Sequence, residues 1–289
     1  MDDITRVGII GCGLMGSGIA EVCARAGLDV LVREIDDAAV ADGRARIEAS
    51  LARGHLAGKL TSGDRDVALA AVSYTTSLTD LSDCDLLIEA ATESPDVKAE
   101  LFAQLDGLIK RPDAILATNT SSIPIVEIAR ATTRPGQVIG LHFFNPTPVQ
   151  RLVELIPSVL TAEQTTIRAR ALVMDVFGKT PIAAPDRSGF VVNALLVPYL
   201  LSAVRMLEAG HATATDIDTG MMLGCAHPMG PLRLADLIGL DTLQAVAESM
   251  YAEYAEPLYA PPPLLRRMTA AGLLGRKSGC GFFGYQEQQ

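Results

Sequence analysis

The sequence predicts an α/β fold: a mostly parallel sheet with helices on both faces, followed by an all-helical carboxyl-terminal domain. Three observations carry this. Short apolar runs without strict alternation recur between residues 6 and 142, as expected of strands buried on both faces of a parallel sheet. Segments with apolar residues at helical spacing separate those runs, giving a repeated βαβ pattern. Beyond Pro185 the strand signal stops and helical periodicity continues alone.

Strands are expected at residues 7–10, 30–32, 86–88, 114–117 and 138–141, and Glu154 reads as part of the next one. Helices are expected at 15–26, 38–51 and 97–109. The stretch from about Ala38 to Ala71 is longer than a single crossover needs. Gly54, Gly58 and Gly63 punctuate it, so it reads as a helical hairpin standing out from the sheet. In the second half, 190–209, 216–223 and 240–254 read as helices. Gly/Pro turns such as His227-Pro228-Met229-Gly230-Pro231 separate them, and Pro261-Pro262-Pro263 forms a rigid connection to a last helix. Residues 1–184 are expected to form the first domain and 185–289 the second, with no internal repeat.

Composition narrows the function classes. Hydrophobic residues make up 49 % of the 289 and charged residues 20 %, an ordinary globular mix. The formal net charge of −10 argues against a nucleic-acid partner, which would need a positive face for phosphates. An anionic small ligand would need local cations and backbone N–H groups working against that field. The longest apolar stretch, 191–204, contains Asn193, Pro198, Tyr199 and Ser202. It is too short and polar to span a bilayer, so no membrane partner is expected. The five cysteines are scattered, with no C-x-x-C pair, and no secretory signal pattern precedes the first strand. Reduced thiols, no metal site and a cytoplasmic location are the expectation.

The first strand runs directly into Gly11-Cys12-Gly13-Leu14-Met15-Gly16. In a strand–turn–helix context this G-x-G-x-x-G marks a Rossmann-type dinucleotide site. Gly11 allows the tight turn, Gly13 lets the backbone approach a pyrophosphate, and Gly16 allows close helix packing. The helix amino terminus then presents N–H groups to the phosphates. Glu34, at the end of the second strand, suits the ribose hydroxyls of NAD. Its neighbour Arg33 could accept a 2′-phosphate, which leaves NADP open.

Two later segments carry chemistry. Asn119-Thr120-Ser121-Ser122 follows a strand, at the carboxyl edge where α/β folds bind ligands. His142-Phe143-Phe144-Asn145-Pro146 ends another, and Glu154 follows. A histidine with a nearby carboxylate can act as a base oriented by an acid, or serve as a hydrogen-bonded structural residue.

Together with Ile88-Glu89-Ala90, Glu93, Lys98, Asp186-Arg187-Ser188-Gly189-Phe190-Val191-Val192-Asn193 and Gly239-Leu240-Asp241, these motifs resemble the L-3-hydroxyacyl-CoA dehydrogenase family, especially its short bacterial 3-hydroxybutyryl-CoA members. The resemblance runs over nearly the whole chain. It implies interconversion of a short-chain (3S)-3-hydroxyacyl-CoA and the 3-oxoacyl-CoA by hydride transfer with a nicotinamide cofactor. His142 is similar to the family's general base and Glu154 to the residue that orients it. Ser121 and Asn193 resemble the pair that holds the substrate oxygen. Gly11, Gly13, Leu14, Met15, Gly16, Glu34, Ala90, Glu93, Lys98, Asn119 and Asn145 match cofactor-side positions. The hairpin, with Arg44, Arg46, Arg53 and Lys59 and with Arg65 just beyond, resembles the part that clamps coenzyme A. The resemblance further implies a homodimer, with the helical domain contributing to the substrate pocket and the dimer face.

Two departures stand out: the family more often has Asp where this chain has Glu34, and its Gly-x-Gly-Phe-Tyr becomes Gly279-Cys280-Gly281-Phe282-Phe283. Two other readings stay open on the residues alone. One is a dehydrogenase of free hydroxy or sugar acids on a similar fold. The other is a non-catalytic nucleotide-binding protein, which would have no need of the base.

Overall fold

The computed structural model describes residues 4–285. The chain divides into two compact units between Arg187 and Ser188. Asp186 explains why the first unit extends past Pro185. Its carboxylate accepts from the Ile125 and Val126 N–H groups at 2.5 and 2.9 Å, tying the segment back to the first unit.

The first unit opens β1 (Arg6–Ile10), α1 (Leu14–Arg25), β2 (Asp29–Arg33), α2 (Asp37–Leu56), α3 (Ser62–Ala70) and β3 (Val72–Thr75). It continues β4 (Leu86–Glu89), α4 (Pro95–Leu108), β5 (Ile115–Thr118), α5 (Ile125–Ala129), β6 (Val138–Phe143), β7 (Leu152–Ile156), α6 (Glu163–Ala171) and β8 (Thr180–Ala183). The eight strands form one sheet in the order β3-β2-β1-β4-β5-β6-β7-β8. Neighbours pair parallel except β6 with β7. The carboxyl ends of β1, β4, β5 and β6 therefore share one edge of the sheet. Their side chains are almost entirely buried, which is why these strands read as continuous apolar runs.

The sequence reading did not anticipate β3 and β8, the two outer strands. β3 is half-exposed, and β8 contains Pro181, which a sheet tolerates at its margin but which weakens a strand signal. Residues 37–70 do form a helical hairpin. It packs along α1, with Ile47, Leu51 and Ala68 joining the core that contains Ile19, Ala20 and Cys23. Gly43 permits this approach, since a Cβ there would lie 2.7 Å from the Cys12 side chain.

The second unit is helical: α7 (Val192–Glu208), α8 (Ala214–Gly224), α9 (Pro231–Ile238), α10 (Leu240–Tyr254) and α11 (Pro263–Ala270). Leu200, Leu201, Val204, Leu232, Ala247 and Leu265 lie at its core. The turn expected at 227–231 is present, but Gly230-Pro231 also opens α9, with proline at the first helical position. Buried Asp218 accepts from the Leu232 and Arg233 N–H groups of that first turn at 2.8 and 3.0 Å.

At the far end of α9, Asp236 accepts from the N–H groups of Phe282 and Phe283 and from the Tyr285 hydroxyl. The Phe283 ring packs under Arg233, whose guanidinium carbon lies 4.0 Å from the ring centroid. No described helix is long and apolar enough to cross a membrane.

Candidate active site

The glycine turn lies between β1 and α1. Gly11 has φ of 87°, a conformation that only glycine adopts at low cost. A Cβ on Gly16 would overlap the Gly11 carbonyl oxygen, so Gly16 closes the turn on itself. A Cβ on Gly13 would meet nothing within 4 Å. The backbone there faces open space, and the α1 amino terminus has no side-chain cap on its N–H groups. Ala90, whose N–H donates to Ile10, packs under the turn. Leu14 is exposed beside it and Met15 packs partly into the core.

Glu34 reaches across to this turn. Its Oε1 accepts from the Cys12 N–H and its Oε2 from the Ile35 N–H at 3.1 Å. Arg33 donates from Nε to the Thr76 carbonyl at 3.3 Å. Burial, then the Glu34 charge, pushes the Cys12 thiol up to about 12, so it stays protonated and packs as a small apolar group.

At the ends of β4 and β5 a buried ion pair organises the next loop. Lys98 donates from Nζ to both Glu89 oxygens at 2.6 and 2.7 Å, and Glu93 lies 3.4 Å away. Thr118 donates to Glu89 Oε2 at 2.7 Å, and the Ala91 N–H to Oε1 at 2.7 Å. Glu93 accepts from the Thr120 hydroxyl at 2.6 Å and the Ser121 N–H at 2.9 Å. The Ser121 and Ser122 hydroxyls follow at 3.3 and 3.2 Å. Burial alone would raise the Glu93 pKa. Lys98 and these donors outweigh it and hold the carboxyl below the usual carboxylate range.

His142 and Glu154 face each other in register across β6 and β7, and their Nδ1 and Oε2 atoms share a hydrogen bond of 2.6 Å. Glu154 is fully buried and His142 nearly so. Asn119 fixes the end of β6 from the neighbouring loop, its Oδ1 accepting from the Phe143 N–H at 2.9 Å. A cleft of about 450 Å³ is formed by α1, α2 and the loop that follows β6, lined by Ser17, Gly18, Arg46, Arg53, Asn145 and Thr147, among others; His142 and Glu154 are not part of its lining.

Comparison with known proteins finds matches over nearly the whole chain. The family described as 3-hydroxyacyl-CoA dehydrogenase, NAD binding domain matches residues 6–187, and the one described as 3-hydroxyacyl-CoA dehydrogenase, C-terminal domain matches residues 189–285. The chain belongs to the 3-hydroxyacyl-CoA dehydrogenase family.

Among its relatives in that family, 3-hydroxybutyryl-CoA dehydrogenase of Mycobacterium tuberculosis is 56 % identical over 98 % of this chain and 99 % of its own. The human mitochondrial hydroxyacyl-coenzyme A dehydrogenase is 41 % identical over 98 % of this chain and 92 % of its own. The crystal structure of M. tuberculosis FadB2 superimposes with a TM-score of 0.98 at 56 % identity, covering 99 % of this chain and 100 % of that one. That of (S)-3-hydroxybutyryl-CoA dehydrogenase from Ralstonia eutropha gives 0.92 at 47 %, with 99 % and 100 % covered.

Within this dehydrogenase fold, Gly11, Gly13, Leu14, Met15, Gly16, Glu34 and Ala90 gather at the glycine turn. Glu93, Lys98, Asn119 and Ser121 gather at the loop after β5, and His142, Asn145 and Glu154 at the β6–β7 junction. Asn193 stands in the first turn of α7, in the second unit. Arg53 lines the cleft, whereas Lys59 lies exposed past the end of α2 and outside that lining.

Lys98 sits beneath the loop with a side chain only 2 % exposed, its protons directed to carboxylates. Its side chain holds the loop from below. Glu89, its main partner, was not singled out as a site residue. The signal was available: an acidic residue ending an otherwise apolar strand needs a buried partner. Arg46, another cation of the hairpin, also lines the cleft and lies 3.5 Å from the Cys12 carbonyl.

Proposed function

We propose that the protein interconverts a short-chain (3S)-3-hydroxyacyl-CoA and its 3-oxoacyl-CoA, with His142 as general base oriented by Glu154. The observation that carries this reading is the short bond between these two buried side chains at the ligand edge of the sheet. A carboxylate only accepts, so it keeps the proton on Nδ1 and leaves the lone pair of the neutral imidazole on Nε2. That nitrogen takes the 3-hydroxyl proton in the oxidative direction and returns it in reduction. Glu154 favours the imidazolium as it forms.

Ser121 supplies a hydroxyl to the substrate oxygen, and Glu93 and Lys98 fix the loop that carries it. The same part is assigned to Asn193 on the family resemblance, and Asn193→Ala tests it. Asn145 shapes the pocket beside the base.

The residues at the glycine turn fit a dinucleotide. There is room above Gly13, the helix N–H groups are uncapped, and a carboxylate stands at the end of β2. A bound nicotinamide supplies the hydride acceptor or donor for C3 of the acyl chain. We assign NAD over NADP. Glu34 would repel a 2′-phosphate, and Arg33, the cation that could welcome one, is engaged with Thr76. Arg53 is assigned to the coenzyme A phosphates from its place in the cleft, with Lys59 as a second cation of the hairpin. Exposed apolar side chains in the helical unit, Leu195 and Leu223 among them, support a homodimer, which light scattering would measure.

The direct test is NADH oxidation with acetoacetyl-CoA, with free acetoacetate as a control in the same direction and NAD reduction with gulonate as a control in the other. Turnover of the thioester and little of the free acids is expected. Turnover confined to a free acid would move the protein to a different substrate class.

A further inference from the structure

The loop between His142 and Glu154 is held by a residue from outside the site. Lys179, just before β8, is buried, and its Nζ donates to the Thr147 carbonyl at 2.8 Å and the Gln150 carbonyl at 2.6 Å. Both acceptors belong to the segment that leaves β6 through Asn145 and returns to β7 at Leu152. A carbonyl shut away from water needs a donor, and here one ammonium serves the carbonyls of buried Thr147 and of exposed Gln150.

The same loop is pressed onto α1. Thr147 is buried over Gly18, where a Cβ would come within 2.8 Å of its side chain. One turn further along α1, buried Glu21 lies close enough to act on Lys179 electrostatically and pairs with Arg25 at 3.3 Å. Burial, then Arg25, lowers the Lys179 pKa, and Glu21 opposes them. The backbone delivers Lys179 to this place through a π turn at Leu172–Val176 and through Gly178, whose φ is 62°. The Lys179 N–H itself bonds the Val173 carbonyl at 2.9 Å.

We propose that Lys179 is a positioning residue for the reaction, one that sets the loop carrying Asn145 in place against α1 and the His142 strand. The proposal rests on the reading that His142 and Asn145 serve catalysis. The ammonium does not contact substrate or take part in proton transfer. It fixes where Asn145 and the neighbouring cleft wall stand relative to the base. Misplacement of a site by about 1 Å can cost on the order of a hundredfold in rate.

The test compares Lys179→Met with the unaltered protein and with Leu172→Ala. Leu172 is a buried core residue of the same region whose side chain makes no hydrogen bond to the loop. Turnover of acetoacetyl-CoA by the unaltered protein reads the proposed function, and the ratio of variant to unaltered turnover reads Lys179. Lys179→Met is expected to lower kcat by about ten-fold or more, with a smaller change in KM and with the NADH Kd kept within about two-fold. Leu172→Ala, at an equal or greater loss of Tm, is expected to keep its kcat.

Kcat of Lys179→Met within about two-fold of the unaltered value would overturn the proposal. So would an equal loss of kcat in Leu172→Ala. If Lys179→Met does not fold, Lys179→Gln is read by the same criteria, because its shorter side chain can reach at most one of the two carbonyls.

Discussion

His142 and Glu154 are directly opposed residues of an antiparallel pair, with Nδ1 and Oε2 2.6 Å apart in a buried setting. Register on two strands holds them, so neither depends on a mobile loop for its place. Glu154→Gln keeps a hydrogen-bonding partner for the imidazole and removes the charge. Its kcat is expected to fall by about ten- to a hundred-fold, with KM little changed. A kcat equal to that of the unaltered protein would show that Glu154 only packs.

The Glu89–Lys98 pair predicts a stability effect. Both side chains are almost wholly buried, so Lys98→Met leaves the Glu89 carboxylate with two fewer donated hydrogen bonds and without this counter-charge. Removing one member of such a pair costs about 3–5 kcal/mol, whereas replacing both with apolar groups costs far less. Urea unfolding of Lys98→Met, Glu89→Gln and the double variant checks this. Additive losses in the double variant would contradict the coupling.

Glu93 predicts a pH dependence. Its folded pKa lies below the usual carboxylate value, so its contribution to stability is present above about pH 4.5, where an unfolded glutamate is ionised. That contribution is lost as the pH falls through the lower, folded value. The stability gap between the unaltered protein and Glu93→Gln should therefore be fully open near neutral pH and close in acid. A gap that is independent of pH would contradict the origin assigned to the shift.

The Glu34 geometry predicts cofactor preference. NADH should support a higher kcat/KM than NADPH, and Glu34→Ala should narrow the ratio, chiefly by weakening NADH. Equal use of the two cofactors by the unaltered protein would mean that Arg33 leaves Thr76 and governs the loop.

Much of this was legible because the physics is local. The strands β1, β4, β5 and β6 are buried on both faces and so appear as uninterrupted apolar runs, and the glycine turn needs glycines at fixed offsets. His142 and Glu154 could be paired in advance because each sat on a strand signal flanking one loop. What escaped depends on tertiary partners. β3 and β8 are outer strands whose exposure or proline blurs the pattern. Lys98 and Lys179 are buried cations, and a lysine in sequence reads by default as a solvated one.

The central claim, that His142 moves the substrate proton, is tested most directly by the turnover of His142→Ala with acetoacetyl-CoA and NADH, alongside NADH binding. General-base assistance is typically worth about a hundred- to ten-thousand-fold, so kcat should fall by that order while the NADH Kd is retained. Near-normal turnover with intact NADH binding would contradict the account.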